Sequence, residues 1–169
     1  FSILSPYFLT YQNINIILRQ NAAASVLATA MTIVLVSGNI DLSIGSNLAF
    51  SSILAGLFMQ RYGASGILPG IAVGLVGGLG VGLLNGFIIG KWKLNSLLVT
   101  LGTMTLIRGV AFVISKGFLV SSIPHQFVHF IGQLVGPIPM LVFLAMTVGI
   151  IAQNYRRRSR RRRREIFHS

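Results

Sequence analysis

Few residues in this chain are of a type that does chemistry, and their spacing does not suit catalysis. Asp41 is the only carboxylate side chain before Glu165, and between Gln20 and Gln60 it is the only formal charge. An ionisable group at membrane depth costs roughly 3 kcal/mol or more, so it is expected to be paired, turned towards a cavity, or set in a broken helix. The surrounding Gly38-Asn39-Ile40-Asp41-Leu42-Ser43-Ile44-Gly45-Ser46 fits a break, because two glycines and several short polar side chains compete with regular helical hydrogen bonding. Arg108, preceded by Thr100, Thr103 and Thr105, is the one basic residue well inside an apolar run. Two readings stand for it: an ion pair with Asp41 that neutralises both groups, or a side chain that snorkels to an interface. Asn85 lies in another apolar run and is able to hydrogen-bond a neighbouring helix. His125, His129 and His168 lack carboxylate company, and the chain has no cysteine. Nothing resembles a hydrolytic triad, a phosphate-binding glycine loop or a zinc motif, so no catalytic residue, cofactor site or metal site is expected. A proton relay would need more than one titratable group.

The elements that must position these residues follow from composition. The chain has 169 residues, of which 53% are hydrophobic and 9% charged, with mean hydropathy +0.79. A soluble domain carries about a quarter charged residues, so lipid must be the solvent for much of this surface. The expected fold is all-α, a polytopic transmembrane bundle of about five spans near 21–37, 44–60, 67–90, 96–115 and 137–153, broken near residues 38–46. Asn13–Arg19 reads as a short interfacial helix, and Gly117–Pro137 as an irregular loop outside the bilayer. The arginines of the tail and the Lys91-Trp92-Lys93 turn both favour the inner side, which places the Asp41 break near that side too. Arg61 then falls outside and is a mild dissenter. An external N-terminus implies one more helix upstream, and Phe1 itself reads as the start of a fragment.

The third span repeats glycine every four residues, at Gly70, Gly74, Gly78, Gly82, Gly86 and Gly90. Each glycine costs a water-borne helix about 1 kcal/mol against alanine, whereas in lipid small residues let two backbones approach. The stripe is expected to pack tightly against another helix of the chain, in a right-handed close crossing, or to form a seam between protomers. Leucine at Gly78 or Gly82 is expected to force helices apart, and leucine at Val81 or Ile88 to be milder.

The motifs, taken in order, resemble one family. Ser5-Pro6-Tyr7-Phe8-Leu9-Thr10 precedes Asn15-Ile16-Ile17-Leu18-Arg19-Gln20, then Ala30-Met31-Thr32-Ile33-Val34 and the Asp41 segment. Gly82-Leu83-Leu84-Asn85-Gly86, Val99-Thr100-Leu101-Gly102-Thr103-Met104 and Arg108-Gly109 follow. Over roughly residues 5–155 this series is similar to the permease subunit of bacterial ABC importers for monosaccharides of the ribose, xylose and arabinose type. Asn39 departs from the family, which usually has Gly-Gly-Ile-Asp or Ser-Gly-Ile-Asp there.

The resemblance implies a multi-pass protein of the bacterial inner membrane that forms the translocation path for a monosaccharide. It implies a second permease copy, an ABC ATP-binding subunit on one side and a periplasmic sugar-binding protein on the other. Asp41, Ser43, Ser46, Asn85 and Arg108 are the residues expected to line that path or to act as its structural switch. Such permeases are about twice this length and continue through a coupling loop where this chain turns into Arg156–Arg164, with eight arginines. Residues 1–155 are therefore expected to be a partial permease domain and 156–169 a basic cytoplasmic tail. An abrupt switch to one amino acid is also what a shifted reading frame in GC-rich DNA yields, and the tail need not be native. Anionic membrane lipid suits the arginines. Nucleic acid is not an expected partner, because no aromatics are interleaved and the body is membranous. Two alternatives remain at this stage: an ion-coupled carrier that uses Asp41, and a non-transporting remnant that sits on lipid.

Overall fold

The computed structural model describes residues 8–132, 134–135 and 138–139. The expected span 137–153 and the arginine tail lie outside the described residues, apart from positions 138 and 139. The described chain is helical: α1 (Tyr11–Val36), α2 (Ile44–Tyr62), a single 3-10 turn (Gly63–Gly66), α3 (Ile67–Trp92), α4 (Ser96–Ser115) and α5 (His125–Gly132). One two-residue antiparallel pairing, β1 (Leu134–Val135) with β2 (Ile138–Pro139), completes it.

Three segments are long and apolar enough to cross a membrane: Tyr11–Val36, Ile44–Trp92 and Ser96–Ser115. The second holds both α2 and α3, so four of the five expected spans fall on described helices, while the fifth falls outside them. The chain forms two compact units, residues 1–37 with 131–169, and 38–130.

In the first unit, α1 corrects one expectation. Asn13–Arg19 is not a separate interfacial helix but the first part of a continuous 26-residue helix. Thr10 caps it, accepting from the Asn13 backbone N–H at 3.4 Å. Its polar side chains satisfy themselves locally, with Asn21, Ser25, Thr29 and Thr32 each donating to the carbonyl four residues earlier. Such back-bonding lets a helix carry short polar residues through an apolar medium without an outside partner.

The second unit is built on an α2–α3 hairpin. Gly63 takes φ +61° at the end of α2 and lets the chain turn through the 3-10 segment. Pro69 sits in the first turn of α3, where its missing N–H breaks no helical bond. The helices run antiparallel, since Gly70 faces Ala55 and Met59, Gly74 faces Ser51, and Gly78 faces Ser51 near Asn47. A Cβ at Gly70 or Gly74 would come within 2.9 Å or 2.8 Å of an α2 carbonyl oxygen, so the backbones touch there.

Among the described residues only the first half of the glycine stripe is in contact with another helix. A Cβ at Gly82, Gly86 or Gly90 would meet nothing within 4 Å. A four-residue step advances about 40° around a helix, so the stripe rotates out of a straight seam after three steps. The buried positions of α3 are instead Gly70, Gly74, Val81 and Asn85. Their steps of four and seven residues follow the 3.5-residue period that keeps one face on a neighbour. The expectation of equal disruption at Gly78 and Gly82, with Val81 milder, is thereby corrected: Val81 is in the seam and Gly82 is outside it.

The interior is small and polar, and the exterior is large and apolar. Ser43, Ser46, Asn85 and Thr100 are buried, whereas Leu68, Leu83, Phe112 and Val113 are exposed. That inversion is what a bundle solvated by lipid requires, because lipid tails are as apolar as leucine and do not drive leucine inward.

Candidate functional site

The break arises where α1 ends at Val36 and α2 begins at Ile44. Ser37 caps α1 with its N–H to the Ile33 and Val34 carbonyls at 3.2 and 3.1 Å. Gly38 then takes φ +85°, which favours glycine and turns the chain off the helix axis. Asp41 closes the turn before α2. Its Oδ1 accepts the Ser43 backbone N–H at 2.8 Å and the Ser43 hydroxyl at 2.6 Å. This is an Asx turn at a helix N-terminus, where unpaired N–H groups and the helix dipole both favour a carboxylate.

From Ser43 the polar contacts pass to the other helices. Asn85 Nδ2 on α3 donates to Ser43 Oγ at 3.0 Å, and Asn85 Oδ1 lies 2.7 Å from the Thr103 hydroxyl on α4. With Thr103 donating, every donor points towards the Asp41 carboxylate: Thr103 to Asn85, Asn85 to Ser43, Ser43 to Asp41. Such a chain is mutually polarising in a low-dielectric setting. Val99 O at 2.9 Å is the competing acceptor for the single Thr103 proton.

A second tie holds the break to the start of α4. The Ile40 N–H donates to Ser96 Oγ at 3.2 Å, and the Leu42 N–H to Thr100 Oγ1 at 3.2 Å. Thr100 is 1% exposed, and its own proton has Ser96 O at 2.8 Å as the closest acceptor. Two backbone donors that no helix serves are thus served by α4 side chains. Asn95 in turn caps α4, accepting from the Leu97 N–H at 2.9 Å.

Ser46 lies one turn into α2 and is 2% exposed. Its Oγ is buried with no hydrogen-bond partner. Next to it, Asn47 Nδ2 donates to Gly78 O at 3.1 Å on α3. Asn85 is seven residues from the end of α3 at Trp92, or about 10 Å at 1.5 Å per residue, so the cluster sits near the Lys91 end of the hairpin.

Of the residues singled out in the sequence, Asp41, Ser43 and Asn85 are brought together. Arg108 is not. It is exposed, and it lies eight residues beyond Thr100 on α4, about 12 Å along the axis. The Asp41 carboxylate is engaged by Ser43 rather than by Arg108. Ser96, Thr100, Thr103 and Asn47 complete the cluster and were not picked out as site residues. Their signal was three hydroxyls at i, i+4 and i+7 from Ser96, which is one face of a helix.

A helical bundle with an apolar exterior, a polar interior and a broken segment fastened by side chains is a polytopic membrane protein. The chain belongs to the family described as the branched-chain amino acid transport system permease component, whose model matches residues 13–156. Proteins of this family sit in the bacterial inner membrane, as does this one.

Curated relatives narrow the comparison. The chain is 47% identical over 119 residues to the ribose import permease protein of Bacillus subtilis, covering 69% of this chain and 35% of the relative. It is 38% identical over 116 residues to the L-arabinose ABC transporter permease protein of Azospirillum brasilense, covering 69% and 34%. It is 34% identical over 116 residues to the ribose import permease protein of Escherichia coli, covering 69% and 36%. The aligned part thus spans about a third of the length of these relatives. No solved structure matches the chain.

Proposed function

We propose that this chain contributes to the membrane-spanning subunit of an ATP-driven importer for a monosaccharide. The relatives just described are named for ribose and L-arabinose import, and their similarity extends over 69% of the chain. In this reading the chain makes and breaks no covalent bond. An ATP-binding subunit works from the inner face, a sugar-binding protein delivers from the outer face, and a second permease copy completes the path. The Lys91 turn lies on the inner side, which puts the Asp41 cluster within reach of motions that start at the ATP-binding subunit.

The observation that carries a mechanical role is the side-chain tie from Asp41 through Ser43 and Asn85 to Thr103. It fastens an irregular segment to two helices at once, so a displacement of α3 or α4 is transmitted to the mouth of α2. Discontinuous helices at membrane depth are the usual means by which transporters build such hinges. Asp41 serves as a cap in this reading. An ion-coupled carrier has less support, because Asp41 Oδ1 already accepts twice from Ser43 and no second acidic side chain lies among the described residues.

The test is co-expression of a full-length ribose-type permease, carrying this segment in place of its own, with the ATP-binding subunit and the sugar-binding protein of that importer. A complex that co-purifies, and that still assembles but takes up sugar more slowly with Asn85→Leu, supports the reading. A chain that inserts correctly but captures no ATP-binding subunit, or uptake driven by sodium or protons without ATP, contradicts it.

A further inference from the structure

The segment after α4 turns back along α2. Gly117–Pro137 was expected to be an irregular loop outside the bilayer, yet its described residues turn back and form a helix. Lys116 and Gly117 end α4 at φ 54° and 72°, and the Gly117 N–H returns to Phe112 O at 3.0 Å. Three residues later Val120 packs on α2: a Cβ at Gly56 would come 2.9 Å from Val120 Cγ1. Gly56 is six residues before the end of α2 at Tyr62, or about 9 Å below that end at 1.5 Å per residue. The ends of α2 and α4 lie on the same side of the unit, because the start of each is joined through the Ile40–Ser96 and Leu42–Thr100 bonds. The chain therefore dips alongside α2 before α5 begins at His125.

Helix α5 is two-faced. Phe127, Val128, Phe130 and Ile131 fall within an arc of about 160° at 100° per residue, while His125, Gln126 and His129 occupy the opposite arc. Val128 and Phe130 are 55% and 54% exposed, and the approach to the helix carries Phe118 and Leu119 at 77% and 89% exposed. In the sequence these side chains follow Phe112 and Val113 of α4, which are exposed too.

We infer that Phe118–Ile131 is a membrane-interface anchor, with α5 lying flat at the headgroup boundary. Its apolar face is sunk into the acyl region and its histidine face meets the headgroups. The occupant of the apolar face is the lipid bilayer. Two observations favour lipid over a protein partner: the run of exposed apolar side chains from Phe112 and Val113 through Phe118 and Leu119 into α5, and the return of Val120 onto α2, which keeps the segment against a spanning helix. Interfacial helices sink their apolar face roughly 5–10 Å into the headgroup boundary. The helix thereby sets the height of α2 and α4 in the bilayer.

The chain has no cysteine and a single tryptophan, Trp92, so site-directed probes report cleanly. The full chain in lipid nanodiscs would carry one cysteine at a time, from Gln126→Cys, His129→Cys, Val128→Cys or Phe130→Cys. A membrane-impermeant maleimide should label positions 126 and 129 several-fold faster than 128 and 130. In a Trp92→Phe background, Phe130→Trp should be quenched strongly by lipids brominated on their acyl chains, and Gln126→Trp weakly. This pair conserves an aromatic at 130 and needs no reactive thiol. Equal labelling at all four positions, or no lipid quenching at 130, overturns the inference. So does protection of 128 and 130 that appears only when a soluble protein is added, which would make this face a protein-docking surface.

Discussion

Asn85 and Ser43 are 42 residues apart in sequence, and their side chains meet at 3.0 Å in a buried hydrogen bond. Ser43 in turn holds Asp41, and Asn85 reaches Thr103. One asparagine thus stands between the only acid of the described residues and the fourth helix. Interhelical hydrogen bonds in membranes average only about 0.6 kcal/mol and reach about 1.7. Asn85→Leu is therefore predicted to leave the bundle folded, with a loss in that range by reversible unfolding in mixed micelles. If the variant does not insert at all, or unfolds with no measurable change, Asn85 is not the modest tie described here.

Asp41 closes an Asx turn, so Asp41→Asn should be tolerated far better than Asp41→Leu. Asparagine keeps an acceptor for the Ser43 N–H, whereas leucine leaves a donor at a helix start unserved, at about 1 kcal/mol. Thermal stability of the two variants in the same detergent decides the matter. Equal loss with both would mean that the charge, not the acceptor, is what the site needs.

Much of this was legible in the chain itself, and the gaps have physical causes. The break around Asp41 was visible because glycine and short polar residues interrupt an apolar run at one place. The face of α3 was misread because a four-residue glycine repeat is conspicuous, yet it winds by about 40° per step and leaves a straight neighbour. Asn85 was visible as a lone amide, but its partners were not, since pairing across 42 residues and then 18 leaves no local pattern. The hydroxyls of Ser96, Thr100 and Thr103 looked like ordinary helix-tolerated residues. Only the position of α4 beside the break turns Ser96 and Thr100 into acceptors for backbone N–H groups and Thr103 into a donor to Asn85. Arg108 drew attention as a buried partner for Asp41, and its exposure follows from lying two turns too far along α4.

Thr100→Val removes the acceptor of the Leu42 N–H inside a residue that is 1% exposed. An unserved buried donor costs about 1–3 kcal/mol, so this nearly isosteric change is predicted to destabilise more than Asn85→Leu does. Thr105→Val, at an exposed position of the same helix whose hydroxyl bonds only its own backbone, is the control and should be nearly silent. Indistinguishable melting of the two variants would remove Thr100 from the tie.

The two halves of the glycine stripe should part company. Gly70→Leu and Gly74→Leu place bulk against α2 carbonyl oxygens that a Cβ alone would approach to 2.9 and 2.8 Å. They should collapse the α2–α3 hairpin in detergent. Gly86→Leu and Gly90→Leu add a side chain where, among the described residues, a Cβ meets nothing within 4 Å, so the α2–α3 hairpin should keep its stability. If stability holds but association with a second copy is lost, the open half is a seam between chains. Identical behaviour of all four in the isolated chain would show that the hairpin does not pack as described.

The most direct test of the central claim is uptake. A full-length ribose-type permease carrying this segment in place of its own, assembled with an ATP-binding subunit and a sugar-binding protein in sealed vesicles, should accumulate a labelled monosaccharide of the ribose or arabinose type only when ATP is supplied. Asn85→Leu should lower the rate several-fold while assembly persists. Accumulation that needs a sodium or proton gradient and ignores ATP, or a rate untouched by Asn85→Leu, would contradict the account.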